Sequence, residues 1–226
     1  MRLRDTLIGM SLFAALAAGG AIGARHALET DHLAAIATLV DDESTDRPGL
    51  VGASWGVGHS IPIVLLGLSF LVLGIELPET FVVAVEALVG LVLVALGLRM
   101  VLGVIGVESH SHDGGDVHAH WTLGQLSIGN THGHLDGEGF AVGMLHGVAG
   151  SGALVVLLVS TAETVPSALS FLLGFSALSI VTMALVTFVW GRTLETSLRT
   201  YLEVGAGVLG ILVGAMLLVE QVPHLL

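Results

Sequence analysis

The chain has no cysteine and no lysine. The first absence excludes disulfides, thiolate metal sites and iron–sulfur clusters. The second removes the lysine that completes the phosphate loop of nucleotide-hydrolysing proteins, so ATP hydrolysis through that motif is excluded. Charged residues are also scarce, at 12% of 226 residues, about half the share of a soluble domain. The charge present is one-sided: 19 acids oppose seven arginines, for a net charge of −12. No basic stripe exists to meet nucleic acid.

What remains is apolar. Hydrophobic residues make up 54% of the chain, and the mean hydropathy is +0.92. Apolar segments fall at about 5–23, 24–40, 50–75, 80–107, 140–162, 167–190 and 200–220. Several approach the roughly 20 residues that cross a bilayer, and a soluble core of this length could not bury them all. The expected fold class is an all-α polytopic membrane protein with about seven transmembrane helices. Residues 5–40 are too long for one untilted span, so two helices are expected there, with Gly19-Gly20-Ala21-Ile22-Gly23 as a hinge or a tight turn between them. The expected organisation is an N-terminal transmembrane helix over 1–23, a three-helix repeat over 24–107, a His-rich loop over 108–139 and a second three-helix repeat over 140–226. Arg2 and Arg4 before an apolar stretch with Ala15, Ala17 and Ala18 also admit a cleaved signal peptide, which would leave six spans.

With seven spans and a cytoplasmic N-terminus, Arg2, Arg4, Arg47, Arg99, Arg192 and Arg199 all fall at the inner face. That satisfies the positive-inside rule and puts the His-rich loop in the cytoplasm of a cell-membrane protein. The two repeats show in matched residues. Gly23 to Ala27 aligns with Gly143 to Gly147, Gly56 to Ser60 with Gly174 to Leu178, and Glu86, Gly90 and Gly97 with Glu203, Gly207 and Gly214. Three spans per copy force the copies to point opposite ways, as in secondary transporters whose substrate sites lie between inverted repeats.

Against this apolar background, Arg25-His26-Ala27-Leu28-Glu29-Thr30-Asp31-His32 stands out. An ionisable group at membrane depth costs about 2.5–3.5 kcal/mol on insertion scales, so such groups mark cavities and ion paths. Histidine with aspartate suits a borderline divalent metal. On a straight helix Asp31 would lie roughly 140° and His32 about 240° around from His26. Convergence of the three therefore requires a distorted helix; otherwise they serve different partners. His59 in Gly58-His59-Ser60 and His146, the repeat partner of His26, are further candidate ligands. Ser60 could orient the His59 imidazole, and Glu29 could form an acidic wall. Glu86 and Glu203 open the last span of each repeat, as pathway acids or as caps on the helix start. His110, His112, His118, His120, His132 and His134 crowd the insert and fit low-affinity metal capture.

At these residues the chain resembles the nickel/cobalt transporter superfamily. His26-Ala27-Leu28-Glu29-Thr30-Asp31-His32 matches its H-x-x-x-x-D-H signature, and Gly58-His59-Ser60 is similar to its second motif. His146-Gly147-Val148-Ala149-Gly150-Ser151-Gly152-Ala153-Leu154 resembles the second-half motif of the urease-accessory nickel permeases. The resemblance implies a non-enzymatic permease carrying Ni2+ or Co2+ as substrate, with no permanent cofactor. It assigns metal selection to His26, Asp31, His32, His59 and His146. A metallochaperone or importer subunits are the implied partners besides the metal ion and the lipid bilayer. The family's later acidic motif is not found here. Efflux by the same fold is the first alternative and a non-metal small-solute exporter the second. A zinc-dependent intramembrane enzyme lacks its H-E-x-x-H motif.

Overall fold

The computed structural model describes residues 2–40, 47–74, 78–104, 121–123, 126–128, 137–161 and 164–225. They form seven helices: α1 (Arg2–His26), α2 (Thr30–Leu39), α3 (Pro48–Leu73), α4 (Glu79–Val104), α5 (Gly137–Thr161), α6 (Val165–Leu194) and α7 (Arg199–Leu225). Between α4 and α5, β1 (Trp121–Leu123) and β2 (Leu126–Ile128) pair antiparallel. That small ladder is confined to the insert, and the described fold is otherwise all-helical, as expected. The six insert histidines lie outside the described residues.

Local signals set the helix ends. Pro48 starts α3, where its missing N–H costs nothing. Gly74 ends it at φ 64°, returning its N–H to the Phe70 carbonyl. Thr164 and Ser167 form a reciprocal capping box at the start of α6. Pro62 sits inside α3. It cannot donate to the Gly58 carbonyl four residues back, which loosens the helix beside His59.

Four of the described helices, Pro48–Leu73, Glu79–Val104, Val165–Leu194 and Arg199–Gln221, are long and apolar enough to cross a membrane. α1 and α5 have 25 residues each, about 37 Å of helix. Large apolar side chains such as Leu65, Leu91, Leu173, Leu185 and Leu212 point outward. Soluble monomers do not expose such surface; this is the construction of a multi-pass membrane protein.

The expected hinge is displaced. α1 runs unbroken through Gly19, Gly20 and Gly23, which instead let it lie against α6: a β-carbon at Gly19 or Gly23 would collide with the carbonyl oxygen of Phe171 or Phe175. The chain breaks at residues 27–29, where Leu28 and Glu29 donate back to the carbonyls of Arg25 and His26 at 3.0 Å. Glu29 is extended and begins α2. With ten residues, α2 is about 15 Å long, half the hydrocarbon thickness. The segment expected to be a span over 24–40 is too short to be one.

α3 packs on both α5 and α6, α1 on α6, α4 on α7, and α2 against α7 and α4. At the α3–α5 contact a β-carbon on Gly147 would strike the His59 carbonyl oxygen, and one on Gly143 that of Trp55. The backbones meet there because both positions are glycine. Ala27, Ala34, Ala35, Ile36, Trp55 and Met183 belong to the core cluster that surrounds this crossing.

Candidate metal centre

The break after His26 resolves the helical-wheel conflict. His26 is the last residue of α1, while Asp31 and His32 lie in the first turn of α2, so the two pieces aim their side chains independently. α3 brings His59 to the same place and α5 brings His146. All four imidazoles are buried.

The contacts are short and polar. The Nε2 atoms of His26 and His59 lie 3.1 Å apart. His26 Nδ1 meets a Glu29 carboxylate oxygen at 2.9 Å. Asp31 bridges two imidazoles: Oδ1 is 3.0 Å from His32 Nδ1, and Oδ2 is 2.8 Å from His146 Nε2. A carboxylate only accepts, so Glu29 fixes the His26 proton on Nδ1 and leaves the Nε2 lone pair facing His59. A carboxylate holding the far nitrogen of a histidine orients metal-ligating imidazoles in just this way. Two nitrogens on one ion at about 2.1 Å are separated by roughly 3.0–3.4 Å, depending on coordination geometry. The observed 3.1 Å falls in that interval.

Two imidazole nitrogens, His32 Nε2 and His59 Nδ1, are buried without a hydrogen-bond partner among the described residues. An unsatisfied buried polar atom costs about 1–3 kcal/mol. A coordinated cation would offset that penalty.

A cavity of about 390 Å³ opens beside the cluster. His26, His32 and His146 line it, and the acids Glu29, Asp31, Glu86 and Glu220 outnumber Arg25 in the lining, so the approach is acidic. The other expected positions divide. Glu86 stands two turns into α4 and lines the cavity instead of capping a helix start. Glu203 is buried one turn into α7, ion-paired with Arg199 Nε, and is not in the cavity lining. Ser60 is buried, with no partner for its Oγ among the described residues.

Two features escaped sequence reasoning. Trp55 is fully buried, its ring 5.4 Å from that of His32 and 5.9 Å from that of His146. Its spacing of four from His59 was the available signal. Glu220 was the other, an acid at the end of an apolar helix.

Over 191 residues, 84% of this chain and 82% of the relative, the sequence is 29% identical to urease accessory protein UreH of Bacillus sp. (strain TB-90). This chain is similar to a urease accessory protein. The likeness read from three motifs thus extends over most of the chain. No family model matches the sequence, and no solved structure does.

Proposed function

We propose that the chain is a secondary permease for a divalent transition-metal cation, with nickel as cargo, cobalt as the second candidate, and uptake as the direction. The observation that carries this reading is the meeting of four buried imidazoles and one carboxylate from α1, α2, α3 and α5 beside an acidic cavity. Such a donor set suits nickel or cobalt, whereas magnesium and calcium prefer oxygen. The likeness to a urease accessory protein supports the same reading, since the permeases that the motifs resemble bear that description.

An inverted repeat is part of the proposal. Gly90 packs on Gly214 and Gly97 on Gly207. Exchanging the halves by the motif alignment turns each contact into the other, as a two-fold axis requires. The contact of Trp55 with Gly143 likewise becomes that of Phe175 with Gly23, which matches Trp55 to Phe175, two places from the motif match. In this scheme α1, α3 and α4 form one copy and α5, α6 and α7 the other, with α2 inserted. The N-terminal helix then belongs to the first repeat.

A non-crossing α2 has a consequence for topology. The N-terminus and the His-rich insert fall on opposite faces of the membrane. Placing Arg47, Arg99, Arg192 and Arg199 inside keeps the insert cytoplasmic and puts the N-terminus outside.

The test is transport by the purified chain in liposomes containing a nickel-sensitive dye. Signal from the wild type and none from His26→Ala is expected. Equal signal from both would remove the permease reading.

A further inference from the structure

The five candidate ligands do not form a single ring. They divide into two triads, His26, His32 and His59 on one side and Asp31, His32 and His146 on the other. Within each, the candidate ligand atoms lie within 4.8 Å of one another. His32 belongs to both. Its ring centroid is 4.3 Å from that of His26, 5.0 Å from that of His59 and 4.5 Å from that of His146.

The triads differ in access at one ligand each. Asp31, 28% exposed at its side chain, lines the cavity with His32 and His146, and His26 of the other triad lines it too. His59 is wholly buried, and the cavity does not reach it. They also differ in chemistry. The Asp31 triad offers a carboxylate and two imidazoles; the His59 triad offers imidazoles alone. The His59 Nδ1, without a partner among the described residues, lies in the latter, and the His32 Nε2, likewise without one, is on the shared residue.

We propose that the cluster holds two overlapping cation positions that exchange through His32: an outer one at Asp31, His32 and His146 and an inner one at His26, His32 and His59. This rests on the metal-transport reading above. Two divalent ions so close together would repel strongly in a low-dielectric interior, so the positions fill alternately. The outer carboxylate accepts a partly hydrated ion from the acidic cavity. The inner triad demands that the ion trade oxygen for nitrogen ligands, which nickel and cobalt do readily and magnesium and calcium do not. Selection therefore occurs at the hand-over, where His32 holds the ion while its other ligands change.

The experiment is Co2+ titration of the purified full chain, read by the visible spectrum and by bound metal per chain. The wild type should bind one ion. His59→Ala and His146→Ala should each still bind one Co2+, about tenfold to hundredfold more weakly, with spectra that differ from each other. His32→Ala should bind none. If the first two variants lose binding as completely as His32→Ala while remaining monodisperse, there is one composite site and the proposal is overturned, with the permease reading intact. Wild-type binding by His32→Ala would also overturn it. X-ray absorption of the Ni2+-loaded wild type needs no variant: an ion ligated by four imidazoles at once is incompatible with alternating triads. Nickel uptake by cells that is unchanged in all three variants would instead remove the permease reading itself.

Discussion

His26 and His59, 33 residues apart in the chain, face each other through their Nε2 atoms at 3.1 Å. One sits at the broken end of α1 and the other in the middle of α3. Two lone-pair nitrogens approach so closely only with a proton or a metal ion between them. The transport reading turns on this pair and on Asp31, which holds His32 and His146 together.

His26→Ala and Asp31→Ala are each expected to abolish nickel uptake while the protein still reaches the membrane. Immunoblots of membrane fractions beside radioactive nickel accumulation check both halves. Uptake at wild-type level in either variant would end the assignment.

Glu29→Gln keeps the size of the side chain but weakens its hold on the His26 Nδ1 proton. Metal affinity should fall about 10–100-fold, the usual loss when such a supporting carboxylate is altered. Calorimetry with Ni2+ on the purified chain measures it.

Glu86→Gln and Glu203→Gln should separate. Glu86 lines the cavity, so its loss should raise the nickel concentration needed for half-maximal uptake. Glu203 is tied to Arg199 and absent from the lining, so its neutralisation should leave that concentration unchanged. Equal effects would mean that the ion path does not follow this cavity.

Gly147→Val should push α5 away from the His59 carbonyl, destabilising the fold by about 1–3 kcal/mol and separating His146 from Asp31. Gly103→Ala, whose β-carbon would meet nothing within 4 Å, is the control. Thermal unfolding in detergent should show a lowered midpoint for the first variant alone.

An epitope at the N-terminus and another in the 108–139 insert should be reached by antibody from opposite faces of the membrane. Deleting 109–137 should slow uptake at low nickel without abolishing it. Both epitopes on one face would mean that α2 crosses after all.

The membrane character, the long helices and the residues that the structure gathers into one cluster were legible in the chain. Each depends on composition or on neighbours close in sequence: an apolar run of bilayer length, a glycine after the last turn of α3, ionisable groups where lipid forbids them. The position of the break was not. Glycines at 19, 20 and 23 look like hinge material, but glycine also permits close helix contact, and only the presence of Phe171 and Phe175 on α6 decides which use prevails. Glu86 and Glu203 occupy equivalent places in the repeat pattern, yet one faces a cavity and the other an arginine.

The amino-acid sequence by itself determined the solvent this protein lives in and the side chains able to hold a metal, because transfer free energy and ligand chemistry belong to individual residues. Only the tertiary structure decided that His26 meets His59, that Asp31 joins His32 to His146, and that His32 stands in both groups. Those relations depend on how α1, α2, α3 and α5 cross, and helix crossing is set by packing between residues far apart in the chain.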